Sequence, residues 1–357
     1  MKVIKLPTIP NSPVKNGESS KEGDFLLKKF GSFGFVQNIL FDESIIDYDE
    51  KYQNNQSIST IFQNHMNSVY QLLKTNFPKG SKLVEVGCGK GSFLDIVRID
   101  GHFQYKGYDK TYEGDDENIE ARYLVHSDTM EADVVVLRHT LEHIKEPYLF
   151  LKFLCNVFIN KETYIFIEVP QFGWIEENNI IFDFTYEHVN YFNKESLCSL
   201  FSQVDGYGDL FAGQYQYCLA RLNSLVGSEW TSFNEEAKWS DFDFNEYVEK
   251  FRSNVTPLYN FERIWVWGGA TKGVLFLKHL SDLFPEIFCK VVGVVDINPK
   301  KQGLFTPSTN IEIVPPSRLF FNSQNGDGVI VMNPNYIDEV EKEIQQNVKK
   351  SVKVLAL

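Results

Sequence analysis

Cysteine is scarce in this chain. Cys88, Cys155, Cys198, Cys218 and Cys289 stand far apart with no C-x-x-C pair among them. That excludes a zinc ribbon and a disulfide framework, and it predicts no metal and a reducing, cytoplasmic setting. Positive charge is also short: 35 Lys and Arg face 48 Asp and Glu, a net charge of −13. With no Lys/Arg-rich block to offset this, broad contact with a nucleic-acid backbone is excluded. No apolar run reaches the length of about 20 residues that a membrane helix needs. The richest stretch, 149–169, is broken by Lys152, Asn160, Lys161 and Glu162. The opening MKVIKLPTIPNSPVKNGESS has no apolar core of a secretory signal. Low-complexity tracts are missing too.

What is present is a globular balance, 43% apolar and 23% charged over 357 residues, with 30 Phe and 17 Tyr. At about 150 residues per domain this suggests two domains. Residues 1–57 read as an N-terminal arm and lid. The first 24 are rich in Pro, Ser, Asn and Lys and predict a loose arm; Tyr52 and Gln56, in YQNNQSIS, are candidate lid residues. From 58 to 222 an α/β rhythm runs. A helix over 58–77 ends at Pro78 and Gly80, and KLVEVG, YKGYD, a weak RYLV, ADVVVLRH and TYIFIEVP are strands. Strands alternating with helices imply a mostly parallel sheet covered on both faces. Residues 223–260 are polar and acidic and read as a helical connector. The rhythm restarts over 261–357 with ERIWVWG, ATKGVLFLKHL, KVVGVVD, DGVIVMN, IDEVEKEIQQNV and KVLAL. The fold class is therefore α/β: a Rossmann-like domain followed by a smaller Rossmann-like domain.

LVEVGCGKGSFL, at 83–94, carries the chemistry of the first domain. Gly87, Gly89 and Gly91 directly follow a buried strand, where glycine lets a ligand pass close to the backbone. The spacing is G-x-G-x-G, not the G-x-G-x-x-G of dinucleotide sites. Glu85, before the loop, suits a cationic ligand better than a pyrophosphate. S-adenosylmethionine carries a sulfonium, an ammonium and no phosphate. Asp109, about 20 residues on, can hold a ribose diol, a device that NAD enzymes share. Asp128, after the third strand, stands where an acidic side chain meets adenine. A plain strand–turn–helix remains the alternative.

The ordered set E-V-G-C-G-K-G, Y-D and D-V-V-V-L-R-H-T-L-E-H-I resembles the class I S-adenosylmethionine-dependent methyltransferases. The resemblance implies that Glu85, Gly87, Cys88, Gly89, Gly91, Asp109 and Asp128 hold the donor, with Arg138 and His139 closing over its methionine end. LEHI begins the following helix, and His143 either caps that helix or packs against it.

A second cluster follows the last strand: Tyr186, Glu187 and His188, with Tyr191 and Phe192 beyond. Histidine can take a proton at neutral pH, and Glu187 can orient it or bind substrate hydroxyls. A satisfied structural histidine is the other reading. YEHVNYFNKESL resembles the E-H-x-x-Y-F-x-x-x-S-L segment of nucleotide-deoxysugar C-methyltransferases. VWGGATKGVLFL, VVDINPKKQGLFTPSTNIEIVPPSRL and GVIVMNPNYIDEVEKEI resemble their C-terminal domain. The likeness covers roughly 80–200 and 262–350. It implies His188 as general base, Glu187 as a sugar-binding carboxylate, and Tyr186 as a tyrosine displaced by one position from the family's pattern. That family's four-cysteine N-terminal zinc module is missing, and AGQYQYCLARL stands where some members have Gly-Gly-Ser.

Tyr191, Gly269 and Lys272 are candidate substrate residues. The loop at 268–273 opens a helix and can hold an anion, such as a phosphate of a nucleotide sugar; a turn with no ligand is the alternative. The expected activity is methyl transfer from S-adenosylmethionine to a small-molecule acceptor, a nucleotide sugar, at carbon or at oxygen. The chain is a monomer or a homodimer. A non-catalytic nucleotide-binding scaffold and an NAD oxidoreductase are the rival classes, and WGGATKG fits the NAD fingerprint poorly.

Overall fold

The computed structural model describes residues 3–46, 52–53, 58–226, 230 and 235–357. Its main sheet has seven strands in the order Val204–Leu210, Tyr215–Arg221, Tyr164–Pro170, Val134–Arg138, Lys82–Val86, Gln104–Tyr108, Ile119–Glu120. Tyr215–Arg221 runs antiparallel to both neighbours, and the other pairings are parallel. Central parallel strands are covered on both faces, so they read as continuous apolar runs rather than alternating ones; Val134–Arg138 is buried at every position. The chain leaves Lys82–Val86 toward one edge and returns at Val134–Arg138 on the other side. A crevice for ligands opens at such a switch point, beyond the carboxyl ends of the two strands.

Helix Ser92–Asp100 follows Gly91 and stops on Gly101, both left-handed (φ 80° and 64°). A Cβ on Gly107 would lie 2.5 Å from Leu94 Cδ1, so this helix seats directly on the sheet and fixes the glycine loop above it. Helix Thr60–Asn76 turns Phe62, Met66, Val69, Tyr70 and Leu73 into the same cluster, beside Phe93, Leu94 and Val97, and His65 shares that apolar stripe.

The second unit is an all-parallel sheet ordered Ile313–Val314, Val291–Val295, Ile264–Trp267, Gly328–Val331, Lys353–Ala356. One buried cluster runs from Phe25 and Leu27 through Phe172 and Tyr186 to Phe276 and Ile330. The two units therefore share a core.

Four features differ from expectation. The described part of the first 24 residues is not a loose arm, and the chain that follows to residue 38 is also built into sheet. Ile4–Pro7 pairs with Glu22–Phe25, and Leu27–Phe30 and Phe35–Asn38 join Asn190–Tyr191 and Trp239–Asp241 in a small sheet. Asn11 meets Lys301 across 290 positions, a pairing that local composition cannot reveal. The third strand is Ile119–Glu120 and not 122–125. LEHI forms a short 3-10 turn, Leu141–His143. The antiparallel pair over 204–221 was not anticipated. Gln56 lies outside the described residues; Tyr52 is half-buried.

Candidate active site

Gly87, Gly89 and Gly91 all take positive φ (81°, 55° and 80°), which glycine alone adopts without strain. A Cβ on Gly87 would sit 2.3 Å from Thr140 Oγ1, whereas one on Gly89 would meet nothing within 4 Å. Open space therefore lies over the middle of the loop. The Gly89 amide donates to Asp109 Oδ2 at 2.8 Å. Asp109 Oδ1 accepts from the Thr111 amide and hydroxyl, each at 2.7 Å. Oδ2 keeps a lone pair, enough for one ribose hydroxyl.

Behind the loop, Glu85 Oε2 is buried with no hydrogen-bond partner. Burial pushes its carboxyl up to about 7, against the pull of Arg138. An orphaned carboxylate costs free energy until a donor or cation reaches it. The open cradle, the strand-end carboxylate and this orphaned oxygen together fit a ligand with a ribose diol and a cationic amino-acid end.

The sequence pointed to Arg138 and His139 but not to what joins them. Glu168, fully buried at the end of Tyr164–Pro170, accepts from Arg138 Nε at 2.6 Å and lies 2.5 Å from His65 Nε2. His139 Nε2 is 3.5 Å from the same carboxylate, and its Nδ1 is 3.5 Å from Glu142. Burial opposes the charge on Glu168, but Arg138 and His139 overcome it and hold the carboxyl well below its usual range. Burial likewise opposes charge on His139; Glu168 and Glu142 prevail and push it up to about 9. Both Glu142 oxygens are buried without a hydrogen bond. Glu168 in an otherwise apolar strand, and His65 on an apolar helix stripe, were the available signals.

The second cluster meets the first here. The His143 and His188 rings lie 4.9 Å apart, and His143 Nδ1 is 2.8 Å from the Glu187 carbonyl. Glu142, His143 and His188 each present a ligand-type atom within 4.8 Å of the others. Burial holds His188 well below the ordinary histidine range, and His143, His139 and Lys272 push the same way. Glu187 is buried.

Other anticipated residues are engaged by partners within the protein. Tyr186 is fully buried, and its hydroxyl accepts from the Asp42 amide at 2.9 Å. Tyr191 closes its hydroxyl on Thr185, donating to the carbonyl and accepting from the amide. Asp128 sits in the fork of Arg122, at 2.8 and 3.2 Å. Cys88 faces the core under Gly107. Gly269 donates its amide to Asp296. Lys272 reaches across to the first domain and donates to Asp183 at 2.9 Å over the Trp174 ring.

The family described as a methyltransferase domain matches residues 61–205, and that described as a C-methyltransferase C-terminal domain matches 222–356. The chain is an S-adenosylmethionine-dependent methyltransferase. No curated protein matches this methyltransferase. Among solved structures, the methyltransferase domain of bacterial CtHen1 is 16% identical, covering 45% of this chain and 100% of its own, with a TM-score of 0.36. A SAM-dependent methyltransferase from Aquifex aeolicus is 14% identical over 42% and 87%, TM-score 0.32. The 1,6-didemethyltoxoflavin-N1-methyltransferase of Burkholderia thailandensis, solved with S-adenosylhomocysteine, is 12% identical over 47% and 80%, TM-score 0.35. These are likenesses of fold. No helix among the described residues is long and apolar enough to cross a membrane.

Proposed function

We propose that this methyltransferase alkylates a carbon of a small, nucleotide-linked sugar of surface-polysaccharide or secondary-metabolite biosynthesis, with His188 as general base. The observation that carries the reading is the half-buried His143–His188 pair beside Glu142, in a chain whose second half matches a C-methyltransferase C-terminal domain. S-adenosylmethionine supplies an already activated methyl group; the chain's residues must align the acceptor and move one proton. Glu85 and Asp109 hold the donor's two polar ends. His188, kept neutral by burial and its cationic neighbours, takes the proton from the carbon beside a sugar ketone. The charges of His139 and Lys272, which act on His188, also offset the negative charge that then develops on the enolate. Glu187 binds sugar hydroxyls, and Lys272 faces the acceptor's phosphates from the domain seam.

His188→Ala is expected to cut turnover at least about 100-fold while S-adenosylhomocysteine still binds, measured by methyl incorporation into a panel of sugar nucleotides and by calorimetry. Turnover like that of the wild type removes His188 from the mechanism. A product methylated at oxygen would replace the carbon acceptor by a hydroxyl in the same site.

A further inference from the structure

The turn joining Val204–Leu210 to Tyr215–Arg221 is strained. Phe211, Ala212 and Gly213 take positive φ in succession (49°, 54° and 85°), and glycine occupies the last of these alone. A Cβ in this region crowds its own backbone, so a bulky residue stays there when surrounding contacts impose it. Those contacts come from the C-terminal domain. Asn335 Nδ2 donates to the Phe211 carbonyl at 3.1 Å, and Gln214 and Asn333 exchange amide hydrogen bonds at 2.9 and 3.0 Å. The Tyr336 ring lies 6.1 Å from that of Phe211.

The imposed conformation aims two rings at the donor site. Phe211 stacks on Tyr215, 5.2 Å away and nearly parallel, and lies 5.0 Å from the His65 ring. Tyr215 is 5.4 Å from His65 and 4.5 Å from His139. These two imidazoles share Glu168, which also holds Arg138. An unbroken run of contacts thus leads from 333–336 in one domain to the charged cluster under the methyl donor in the other.

We infer that the C-terminal domain positions the donor site: the 333–336 segment holds the 210–214 turn in its strained form, and Phe211 and Tyr215 thereby fix His65 and His139 against Glu168. Phe211 and Asn335 are positioning residues for the donor. The inference concerns donor binding, so it does not depend on the acceptor or on His188.

In the full chain, Asn335→Ala is expected to weaken S-adenosylhomocysteine binding about fivefold by calorimetry, the lower end of a typical coupling between sites. Ala212→Gly relieves the turn without removing the ring. The double variant Asn335→Ala/Ala212→Gly is therefore expected to return to within about twofold of the wild type, a non-additivity that marks direct coupling. A contact that merely stabilised the fold would lower the melting temperature, leave donor affinity unmoved and gain nothing from the glycine. Donor affinity of Asn335→Ala within about twofold of the wild type, or failure of Ala212→Gly to restore it, overturns the inference.

Discussion

The glycine loops at 87–91 and 268–273 share a construction. Each leaves a buried parallel strand, and in each an amide donates to the aspartate that ends the next strand: Gly89 to Asp109 at 2.8 Å, Gly269 to Asp296 at 2.9 Å. They differ in what lies above. Over Gly89 the space is open, and Glu85 waits behind with an unpaired oxygen. Over Gly269 the chain supplies its own cation. Lys301 is buried, with its ammonium 3.3 Å from the Gly269 carbonyl, 3.2 Å from Asn11 Oδ1 and 3.9 Å from Asp296. Asn11 also donates to Thr271 at 2.7 Å, on the first turn of the helix that follows. The same local fold leaves open space in one place and builds a cross-linked joint in the other, so the fold alone does not fix function.

The sharpest way to break this contrast is to fill each loop. Gly87→Ala places a methyl 2.3 Å from Thr140 Oγ1 in a left-handed position. It is expected to weaken S-adenosylhomocysteine binding at least about 100-fold, or roughly 2.7 kcal/mol. Gly269→Ala, whose methyl meets Asp296 and Val294 at 3.1 Å, should leave that affinity within about twofold. Equal losses in both would sink the contrast.

Exchanging the aspartates tests it next. Asp109→Ala should cost about tenfold in donor affinity, roughly 1.4 kcal/mol. Asp296→Ala should leave donor binding alone and instead lower stability to urea by about 2 kcal/mol, because it strips a partner from the buried Lys301 and orphans the Gly269 amide.

The gentlest test is pH. His139 is pushed up from 6.5 to about 9, so its contribution to stability is fully present below 6.5 and is lost as pH rises through 9, with a slope of at most about 1.4 kcal/mol per pH unit. His188 and His143 are depressed; their contribution is present above 6.5 and lost as pH falls below it. Urea titrations across pH should therefore show stability falling away on both sides of roughly 6.5, and His139→Gln should flatten the alkaline side. An unchanged alkaline slope in His139→Gln would show that another group carries it.

The sequence alone determined most of the buried parallel strands, the first glycine loop and the strand-end place of Asp109, because these rest on local rules: an apolar run for a strand buried on both faces, glycine for positive φ, a carboxylate at a strand end. The family resemblance also brought Arg138 and His139, at a strand end, and Glu187 and His188, beyond the last expected strand of the first domain, into view. Only the tertiary structure decided which of them meet. Glu168 and His65 come together from positions 103 apart, and burial, not residue type, pushes Glu85 up and His188 down. The fate of the second loop was likewise tertiary. Its amide and carbonyl are claimed by Asp296 and Lys301, and Lys301 is held in turn by Asn11, from a stretch whose composition reads as loose. Long-range pairing supplies the free energy that the local sequence does not advertise.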